Sequence, residues 1–509
     1  MPGIDIKKLR QEGKLDDALK MAQEEFEAAP TNDWTKRNLA WVHESYCKKY
    51  AEDGNYQDFI NSIRALINLG VNETEPMLIN AIGWRFRSML SNLENCIDGN
   101  DERIRVLNEI FELVRKFHFE KPSETYSVLF KAFLKYKDIW PEFKEFCEWW
   151  DFDRFRPKDY VCEEFASGKK ESCCLVERAY IAYSKCLLKD STKDSEKIKA
   201  FVNKLESLAK EHPEMDYPGY FAGKLMIALN ENGNDIVAII RPFIQKRKNE
   251  FWAWQLLAES VKENDRDLYL ASLLRAIHCG TKDDFLVKIR LMLIEEFVSR
   301  QAFCHATQQL TLYCQTKRAQ KSNWLPTGEV RVYLEKPWYE QYRSAQSEPF
   351  PIDYMALTNN VLFGDTPEQA CVVSFINTDK HIANVVYGKK KEGFFKYDSS
   401  LCPKIGMKLS IRIQEISKDG YIKVLSARIS SESDEELDYY KEVEGTVIYN
   451  KNKDIYSFKS GDIICFIPPY YVSQQSLVKD QSIKAFILYT YNKKKEKYMW
   501  KITSIKNMV

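Results

Sequence analysis

The spacing of apolar residues changes once along this chain, and that change constrains the fold more than any other feature of the sequence. Up to about residue 320, apolar residues recur every three or four positions, which is typical of amphipathic helices. Beyond about residue 367 they recur every second position, and β-branched and aromatic residues dominate, as they do in strands. Because 509 residues are too many for one hydrophobic core, we predict a multidomain chain with an all-α part followed by an all-β part.

The all-α part is predicted to be a solenoid of stacked helices over residues 1–320. Its apolar-periodic stretches are separated by short segments that contain Gly, Pro, Asn or Asp, and short connections favour antiparallel neighbours packed in series. The clearest predicted helices are Asp33–Tyr50, Tyr56–Leu69, Glu75–Cys96, Glu102–His118, Ser195–His212 and Asp283–Arg300. Such a stack offers an extended groove, so we expect it to bind a protein partner.

The first helices of this part resemble a tetratricopeptide repeat. In IKKLRQEGKLDDALKMAQEEFEAAPTN, Gly13 lies at a helix–helix turn, Ala18 follows five residues later, and Pro30 closes the unit. In that family a small residue lets two helices approach closely, and the proline ends the second helix. A second, partial match has large and small apolar residues at the expected spacing: Trp254, Leu257 and Ala258.

Residues 321–366 are predicted to be a docking segment rather than a free linker. This segment mixes Pro, Gly and aromatic residues and is too apolar for a solvated linker. Two helices are expected in it, Lys336–Ser344 and Ile352–Leu362. Two β modules follow, over residues 367–430 and 441–509.

The net charge of +1 hides an asymmetry along the chain. Glu368–Arg428 holds 11 Lys and Arg against 6 Asp and Glu, a net +5, and Lys441–Val509 holds 12 Lys against 6 acids, a net +6. The connector between the modules, residues 431–440, is acidic, and Ile429–Tyr440 contains five acids and no base. Basic charge is therefore concentrated in the β modules, where a polyanion would bind.

The second β module reads as five short strands, which is the strand number of an OB barrel. Its strands lie in KEVEGTVIYNKNKDIYSFKSGDIICFIPP, LVKDQSIKAFILYTY and YMWKITSI. This order resembles a cold-shock domain, in which the second and third strands carry aromatic residues that stack on unpaired bases. The resemblance implies a platform of apolar and ring-bearing side chains beside lysines, made of Tyr456, Phe458, Ile464, Phe466, Lys451, Lys453 and Lys459.

This module departs from the cold-shock pattern in two places. The Gly-Phe-Gly-Phe core of the second strand is replaced by Asp-Ile-Tyr-Ser-Phe, and the usual histidine of the third strand is Phe466. Because Tyr456 and Phe458 are two residues apart, as are Ile464 and Phe466, each pair is expected to point to one side of the sheet.

The first β module has the same layout and resembles a cold-shock or S1-like barrel. Its strands lie in ACVVSFINTDKHIANVVY, KEGFFKYD, IGMKLSIRIQEI and GYIKVLSARI. Where the family has aromatic residues in the second strand, this module has Ile382 and Asn384. Its candidate binding residues are Phe395, Tyr397, Lys389, Lys390 and Lys391.

Two alternative functions stay open. Alternating aromatic residues in a small barrel often serve packing, and OB barrels also dock proteins, so the chain is alternatively a protein–protein assembly factor. A minor alternative is a HEPN-type ribonuclease, because Arg37 and His43, and also Arg300 and His305, have the Arg–His spacing of that family.

Other signatures of catalysis, metal binding and export are missing from the sequence. It contains no GxxxxGK[ST], HExxH or GxSxG, its six histidines are far apart, and its 13 cysteines include no CxxC pair. We therefore expect no cofactor, no metal, no signal peptide and no membrane span. These observations predict a cytoplasmic, non-enzymatic adaptor whose helices bind a protein and whose barrels bind single-stranded nucleic acid, RNA rather than DNA.

Overall fold

The chain folds into two compact units, Met1–Phe243 and Ile244–Val509. The computed structural model describes residues 2–70, 75–162, 173–345, 348–397, 401–430, 437–451, 454–492 and 495–507. Helices fill the first unit and begin the second, and two five-stranded antiparallel sheets end the chain. The predicted fold class, a helical array followed by two small β modules, is confirmed.

The first unit contains helices that pack largely against their neighbours in the chain. They are α1 (Pro2–Gln11), α2 (Leu15–Ala28), α3 (Asp33–Asp53), α4 (Tyr56–Asn68), α5 (Pro76–Cys96), α6 (Asn100–Val114), α7 (Glu124–Leu134), α8 (Phe143–Trp150), α9 (Leu175–Lys189), α10 (Ser195–Glu211), α11 (Tyr217–Ala228) and α12 (Gly233–Lys246), the last of which crosses into the second unit. Two 3₁₀ turns, Phe152–Arg154 and Pro157–Tyr160, lie between α8 and α9.

Local sequence signals explain where the first helices begin and end. Gly13, in the turn between α1 and α2, has φ of +76°, a conformation that costs glycine little. Ala18 is fully buried, as expected of a small residue at a close helix contact. The side chain of Asn32 caps α3 by accepting a hydrogen bond from the amide of Trp34, and Gly54 ends that helix with φ of +73°.

The second unit begins with further helices, which carry the β modules. They are α13 (Phe251–Val261), α14 (Arg266–Ile277), α15 (Asp283–Ser299), α16 (Phe303–Gln320), α17 (Gly328–Leu334), α18 (Pro337–Tyr342) and α19 (Tyr354–Phe363). The two helices expected between residues 321 and 366 correspond to α18 and α19, while α17 was not predicted.

The six helices predicted most clearly are present as α3, α4, α5, α6, α10 and α15. Of these, α6 ends at Val114 rather than at the predicted His118. The amide of Phe117 bonds the carbonyl of Val114, three residues back (3.1 Å), which marks a turn instead of a continuing helix. The predicted boundary at residue 320 coincides with the end of α16, whereas the division between the compact units falls within α12.

Each β module is a five-stranded antiparallel sheet with the same strand order. Barrel 1 consists of β1 (Glu368–Asn377), β2 (Ile382–Gly388), β3 (Lys391–Lys396), β4 (Lys408–Ile416) and β5 (Ile422–Ile429), in the spatial order β3-β2-β1-β4-β5. Barrel 2 consists of β6 (Tyr440–Asn450), β7 (Ile455–Ser460), β8 (Ile463–Phe466), β9 (Ser482–Asn492) and β10 (Lys497–Asn507), in the order β10-β9-β6-β7-β8, with α20 (Pro469–Gln475) between β8 and β9. A parallel bridge between Phe394 and Tyr421 brings β3 against β5 and closes barrel 1.

The interior of each barrel is filled mainly by alternate side chains of its strands, to which Ile467 and Leu477 beside the strands of barrel 2 are added. In barrel 1 the buried core consists of Cys371, Val373, Ala383, Val385, Phe395, Leu409, Ile411 and Ile422. In barrel 2 it consists of Val447, Phe458, Cys465, Ile467, Leu477, Ile483, Ala485, Ile487, Ile502 and Ile505. Residues next to these along a strand therefore point outward.

A buried arginine fastens barrel 1 to the helices of its unit. Arg412 of β4 donates hydrogen bonds from its Nη1 to the carbonyl of Phe363 (2.7 Å) and to the carbonyl of Thr366, at the end of α19. Its Nη2 lies 3.3 Å from the carboxylate of Glu368. The last carbonyls of a helix have no hydrogen-bond partner within the helix and lie at the negative end of its dipole. A guanidinium therefore binds favourably there.

The same helix is also held by a second arginine. Arg275 of α14 donates to the side-chain oxygens of Thr358 and Asn359 in α19, both at 3.1 Å, and its guanidinium lies over the ring of Trp254. Thr358 and Asn359 are buried, so these hydrogen bonds are shielded from water. Barrel 1 is thus connected through α19 to α14.

The two barrels also contact each other directly. Val372 and Val386 of barrel 1 point outward and are buried against Tyr440 and Leu488 of barrel 2. The hydroxyl of Tyr440 donates to the carbonyl of Gly406 at 2.8 Å. The barrels therefore form a fixed pair rather than two independent modules.

Of the helices that the structure describes, none combines the length and the apolar composition needed to cross a membrane. All 13 cysteines lie in described segments and are free thiols.

Replacing Arg412 by methionine is expected to destabilise barrel 1 by about 2–4 kcal/mol, because the carbonyls of Phe363 and Thr366 lose their charged donor. Hydrogen exchange of the β4 amides in the full-length protein, followed by mass spectrometry, measures this loss as faster exchange. Arg331→Met is the matched control, since Arg331 pairs with Glu335 on the exposed surface of α17 and contributes less than about 0.5 kcal/mol. Equal exchange in the two variants would contradict a fastening role for Arg412.

Candidate nucleic-acid interface

In barrel 2 the predicted platform is divided between two faces of the sheet. Phe458 is fully buried between its strand neighbours Val447 and Cys465, so the prediction that it stacks on bases is wrong. Tyr456 lies two residues away on the same inner face and is partly buried against the barrel core. Its ring packs on Tyr449 with a centroid separation of 4.7 Å. Tyr456 and Phe458 therefore take part in packing the interior of barrel 2.

The other predicted pair of barrel 2 does face outward. Ile464 and Phe466 are 60% and 49% exposed, and they lie opposite Lys459 and Ser457 of β7. Because Phe466 and Phe458 lie on opposite faces, the predicted set of three aromatic rings on one surface does not form. Phe466, Ile464 and Lys459 remain together as a small outer patch. Lys451 is exposed at the end of β6, and Lys453 lies outside the described residues.

In barrel 1 the predicted aromatic residues also belong to the interior. Phe395 is 2% exposed and part of the core, so its assignment as a binding residue is wrong. Tyr397 packs partly against that core and contacts the ring of His381 at 5.5 Å. The lysines of the predicted site, Lys389, Lys390 and Lys391, are exposed in and beside the β2–β3 turn.

The outer face of barrel 1 carries an aromatic row that the sequence reading missed. Phe375 of β1 lies directly opposite Asn384 of β2, and Asn384 lies directly opposite Phe394 of β3. Phe375 is 54% exposed and Phe394 partly exposed. Two strand spacings, about 9–10 Å, separate the two phenylalanines. We call Phe375, Asn384 and Phe394 the aromatic row.

A β-bulge places Phe375 in this row. The pairing of β1 with β2 shifts register between Val373 and Phe375, so that Val373 points into the core and Phe375 points outward although they are two residues apart. The residue in the bulge, Ser374, bonds the carbonyl of Asn384 through its hydroxyl (3.1 Å). Strict alternation from the sequence assigns Phe375 to the wrong face.

Cationic and aromatic groups surround the aromatic row. Lys396 is exposed and, two residues beyond Phe394 on β3, shares its face. The ring of Phe394 meets that of Tyr421 edge-on at 5.7 Å, and its amide bonds the carbonyl of Gly420 in the turn that also presents exposed Lys418. Rings and ammonium groups side by side are the combination that binds unpaired bases and their phosphates.

The first Arg–His pair of the ribonuclease hypothesis takes part in packing and ion pairing. Arg37 lies 3.2 Å from the carboxylate of Glu75 and over the ring of Trp34. His43 is partly buried, and burial lowers the pKa of its imidazole, which favours the neutral form.

The second pair is engaged in the same way. Arg300 bonds the carboxylates of Glu296 (2.7 Å) and Asp267 (2.8 Å), which neutralise its charge. The ring of His305 packs between Phe297 and Phe350 at 5.3 and 5.2 Å.

Three segments of the chain match family models. Residues 363–425 match S1/CSD-like domain 1 of the TOTE conflict systems, and residues 441–505 match S1/CSD-like domain 2 of those systems. Residues 216–351 match a domain of unknown function, DUF7017. The resemblance of both barrels to S1 and cold-shock domains is therefore confirmed.

Comparison with solved structures finds similar chains. The structure titled TPR2AB-domain:pHSP90-complex of yeast Sti1 aligns with 60% of this chain and 98% of its own length, at 14% identity and a TM-score of 0.21. Comparison with curated proteins gives no match.

Replacing Phe458 by alanine is expected to destabilise barrel 2 by about 3–5 kcal/mol, because a fully buried ring leaves a cavity. Phe466→Ala makes the same chemical change on the outer face of the next strand and is expected to cost less than about 1 kcal/mol. Limited proteolysis of the full-length protein should cleave barrel 2 much faster in the first variant than in the second. Similar cleavage rates would mean that Phe458 does not fill the core.

Proposed function

We propose that this chain is a non-enzymatic adaptor whose barrels bind single-stranded nucleic acid, RNA in the first place. One observation carries the proposal: Phe375, Asn384 and Phe394 lie in register across three neighbouring strands on the outer face of barrel 1. Two rings offer stacking surfaces for bases, and the amide of Asn384 between them can both donate and accept hydrogen bonds to a base edge.

Charge supports a polyanionic ligand. The segments of the two barrels carry net charges of +5 and +6. Lys396 and Lys418 lie near the aromatic row, and Lys459 of barrel 2 lies opposite Ile464, in the outer patch that includes Phe466. Ammonium groups at such positions would neutralise phosphates and make affinity fall with salt. The similarity of both barrels to S1/CSD-like domains points the same way.

The helices are proposed to hold a protein partner. In the first unit Trp34 and Met77, at the starts of α3 and α5, are 67% and 72% exposed. The ion pair between Arg37 and Glu75 joins these two helix starts, so the exposed apolar side chains lie near one another. Exposed large apolar side chains in proximity favour a protein contact. The conflict systems named in the family models are the setting in which we propose that such an adaptor acts, within the cytoplasm.

The absence of catalysis remains part of the proposal. Arg37, Arg300 and His305 already have ionic or aromatic partners, which supports a structural role for the residues of the ribonuclease hypothesis. A nuclease assay on the wild type and His43→Ala tests this: cleavage that depends on His43 would contradict the proposal.

Replacing Phe375 or Phe394 by alanine is expected to weaken binding of a fluorescein-labelled single-stranded RNA about 5- to 150-fold, because each ring stacks on a base with about 1–3 kcal/mol. Fluorescence polarisation with the full-length protein measures the change. Phe285→Ala in α15 is the matched control, since Phe285 is 63% exposed but lies among the helices. Unchanged affinity in the two barrel variants, or an equal loss in the control, would exclude the aromatic row as the base-binding surface.

The salt dependence of the same binding reaction separates this proposal from the assembly-factor alternative. For each phosphate that a lysine neutralises, the log–log slope of affinity against salt should steepen by about 0.7. Lys396→Ala should therefore weaken binding of all sequences similarly and reduce the slope by about that amount. No RNA binding by the wild type at low salt would favour barrels that dock protein.

A further inference from the structure

A second group of aromatic side chains lies on the β9–β10 hairpin of barrel 2. The rings of Tyr489, Tyr491, Tyr498 and Trp500 form a chain of contacts, with centroid separations of 5.2 Å for Tyr491–Tyr498, 5.8 Å for Tyr489–Tyr498 and 5.2 Å for Tyr489–Trp500. None of the four is fully buried, and Tyr491 is 41% exposed. We call these four residues the hairpin cluster.

Barrel 1 contributes directly to this cluster. The hydroxyl of Tyr498 donates to the carbonyl of Lys390 (3.1 Å), and the amide of Tyr491 donates to the carboxylate of Glu392. The ammonium of Lys390 lies over the ring of Tyr498, 5.9 Å from its centroid. The hairpin cluster is therefore aligned with the β2–β3 turn of barrel 1, which presents Lys389, Lys390 and Lys391 to solvent.

Barrel 2 places a further cation on the cluster. The ammonium of Lys441 lies 4.9 Å from the ring centroid of Trp500. A lysine that rests on a partly exposed ring is weakly held, with about 0.5–1 kcal/mol, so an incoming base can replace it and leave the ammonium free to bind a phosphate.

The hairpin cluster lies close to the aromatic row. Glu392, which bonds Tyr491, precedes Phe394 by two residues on the same face of β3, a distance of about 7 Å. On β1, at the other end of the aromatic row, the ammonium of Lys501 of barrel 2 donates to the carbonyl of Ser374, next to Phe375 (3.3 Å). Barrel 2 thus covers the outer face of barrel 1 up to the aromatic row and places its own rings at that edge.

We propose that the hairpin cluster is a second base-binding site, so that one single strand runs from the aromatic row of barrel 1 onto the exposed Tyr491 and the partly exposed rings beside it on barrel 2. The ligand is an unpaired polynucleotide segment: its bases stack on Tyr491 and its ring neighbours, and its phosphates lie along Lys389–Lys391. The inference rests on the proposed function, because it extends the same bound strand. The fixed contact between the barrels keeps the two surfaces aligned before the ligand arrives.

Oligonucleotides of two lengths distinguish binding at one of the two surfaces from binding at both. A strand of about 4 nucleotides fits one OB surface, whereas one of about 12 nucleotides can span two. Full-length wild type should bind the 12-nucleotide strand more tightly than the 4-nucleotide strand. Tyr491→Ala should reduce that advantage about 5- to 150-fold, and Tyr491→Phe, which keeps the ring, should restore it.

Tyr342→Ala is the matched control, since Tyr342 is a partly exposed tyrosine of α18, in the helical part of the same unit. It should leave the advantage of the long strand as in wild type. Hydrogen exchange across the contact between the barrels should be the same in Tyr491→Ala as in wild type, which rules out loss of binding through loosened packing.

The possible results of these experiments distinguish failure of the inference from failure of the proposed function. If Tyr491→Ala leaves the advantage of the long strand intact while Phe375→Ala weakens both strands, the hairpin cluster is packing and the inference fails alone. If neither strand binds the wild type, both fail. If the advantage disappears equally in Tyr491→Phe, stacking is not the interaction and the inference is overturned.

Discussion

The narrow interior of each five-stranded barrel is the constraint on which the rest of the second unit depends. Successive side chains on a strand point to opposite faces, and a barrel of this size encloses a single packed core. Alternate side chains of every strand must therefore fill that core, and only the remaining, outward-facing side chains are available to bind a ligand. In barrel 1 the neighbours Phe394 and Phe395 divide in this way: Phe395 fills the interior, and Phe394 is available to a ligand.

The elements that pack on the outer face of each barrel then determine which outward-facing side chains stay accessible to a ligand. Val372 and Val386 face outward from barrel 1, yet barrel 2 covers them and makes them part of a buried contact. The helices hold another part of barrel 1, because Arg412 binds the end of α19 from β4. The aromatic row lies on β1, β2 and β3, beyond the edge of the cover that barrel 2 provides. Its exposure follows from how the neighbouring elements pack.

The sequence predicts the fold well because the signals it uses are local. Helix periodicity and caps, exemplified by Asn32 and Gly54 of α3, depend on residues a few positions apart. The strands of both barrels also follow from alternation and turn residues. The candidate site was predicted less well: Ile464, Phe466 and the lysines Lys389–Lys391 are exposed as expected, whereas Phe395 and Phe458 are buried.

The physical reason is that alternation gives the two faces of a strand but does not say which one is inside. That choice depends on contacts between distant strands, such as Phe458 with Val447 and Cys465. In β1 a bulge at Ser374 reverses which alternate side chains point inward, so that Val373 is inside and Phe375 outside. No residue in the sequence VVSFIN indicates that bulge. The doublet Phe394–Phe395 did contain a usable signal, since two adjacent residues of a strand cannot both enter the core.

The two kinds of aromatic position also differ in what a mutation can change. A buried ring such as Phe458 contributes about 3–5 kcal/mol to stability, a large part of the 5–15 kcal/mol that holds a typical domain folded. An exposed ring contributes little to folding and about 1–3 kcal/mol to each stacked base. Outer-face residues can therefore vary with the ligand while the barrel stays folded, whereas inner-face residues cannot. Two barrels of identical strand order can for this reason carry different accessible surfaces: the aromatic row on barrel 1, and the hairpin cluster and the outer patch of Phe466, Ile464 and Lys459 on barrel 2.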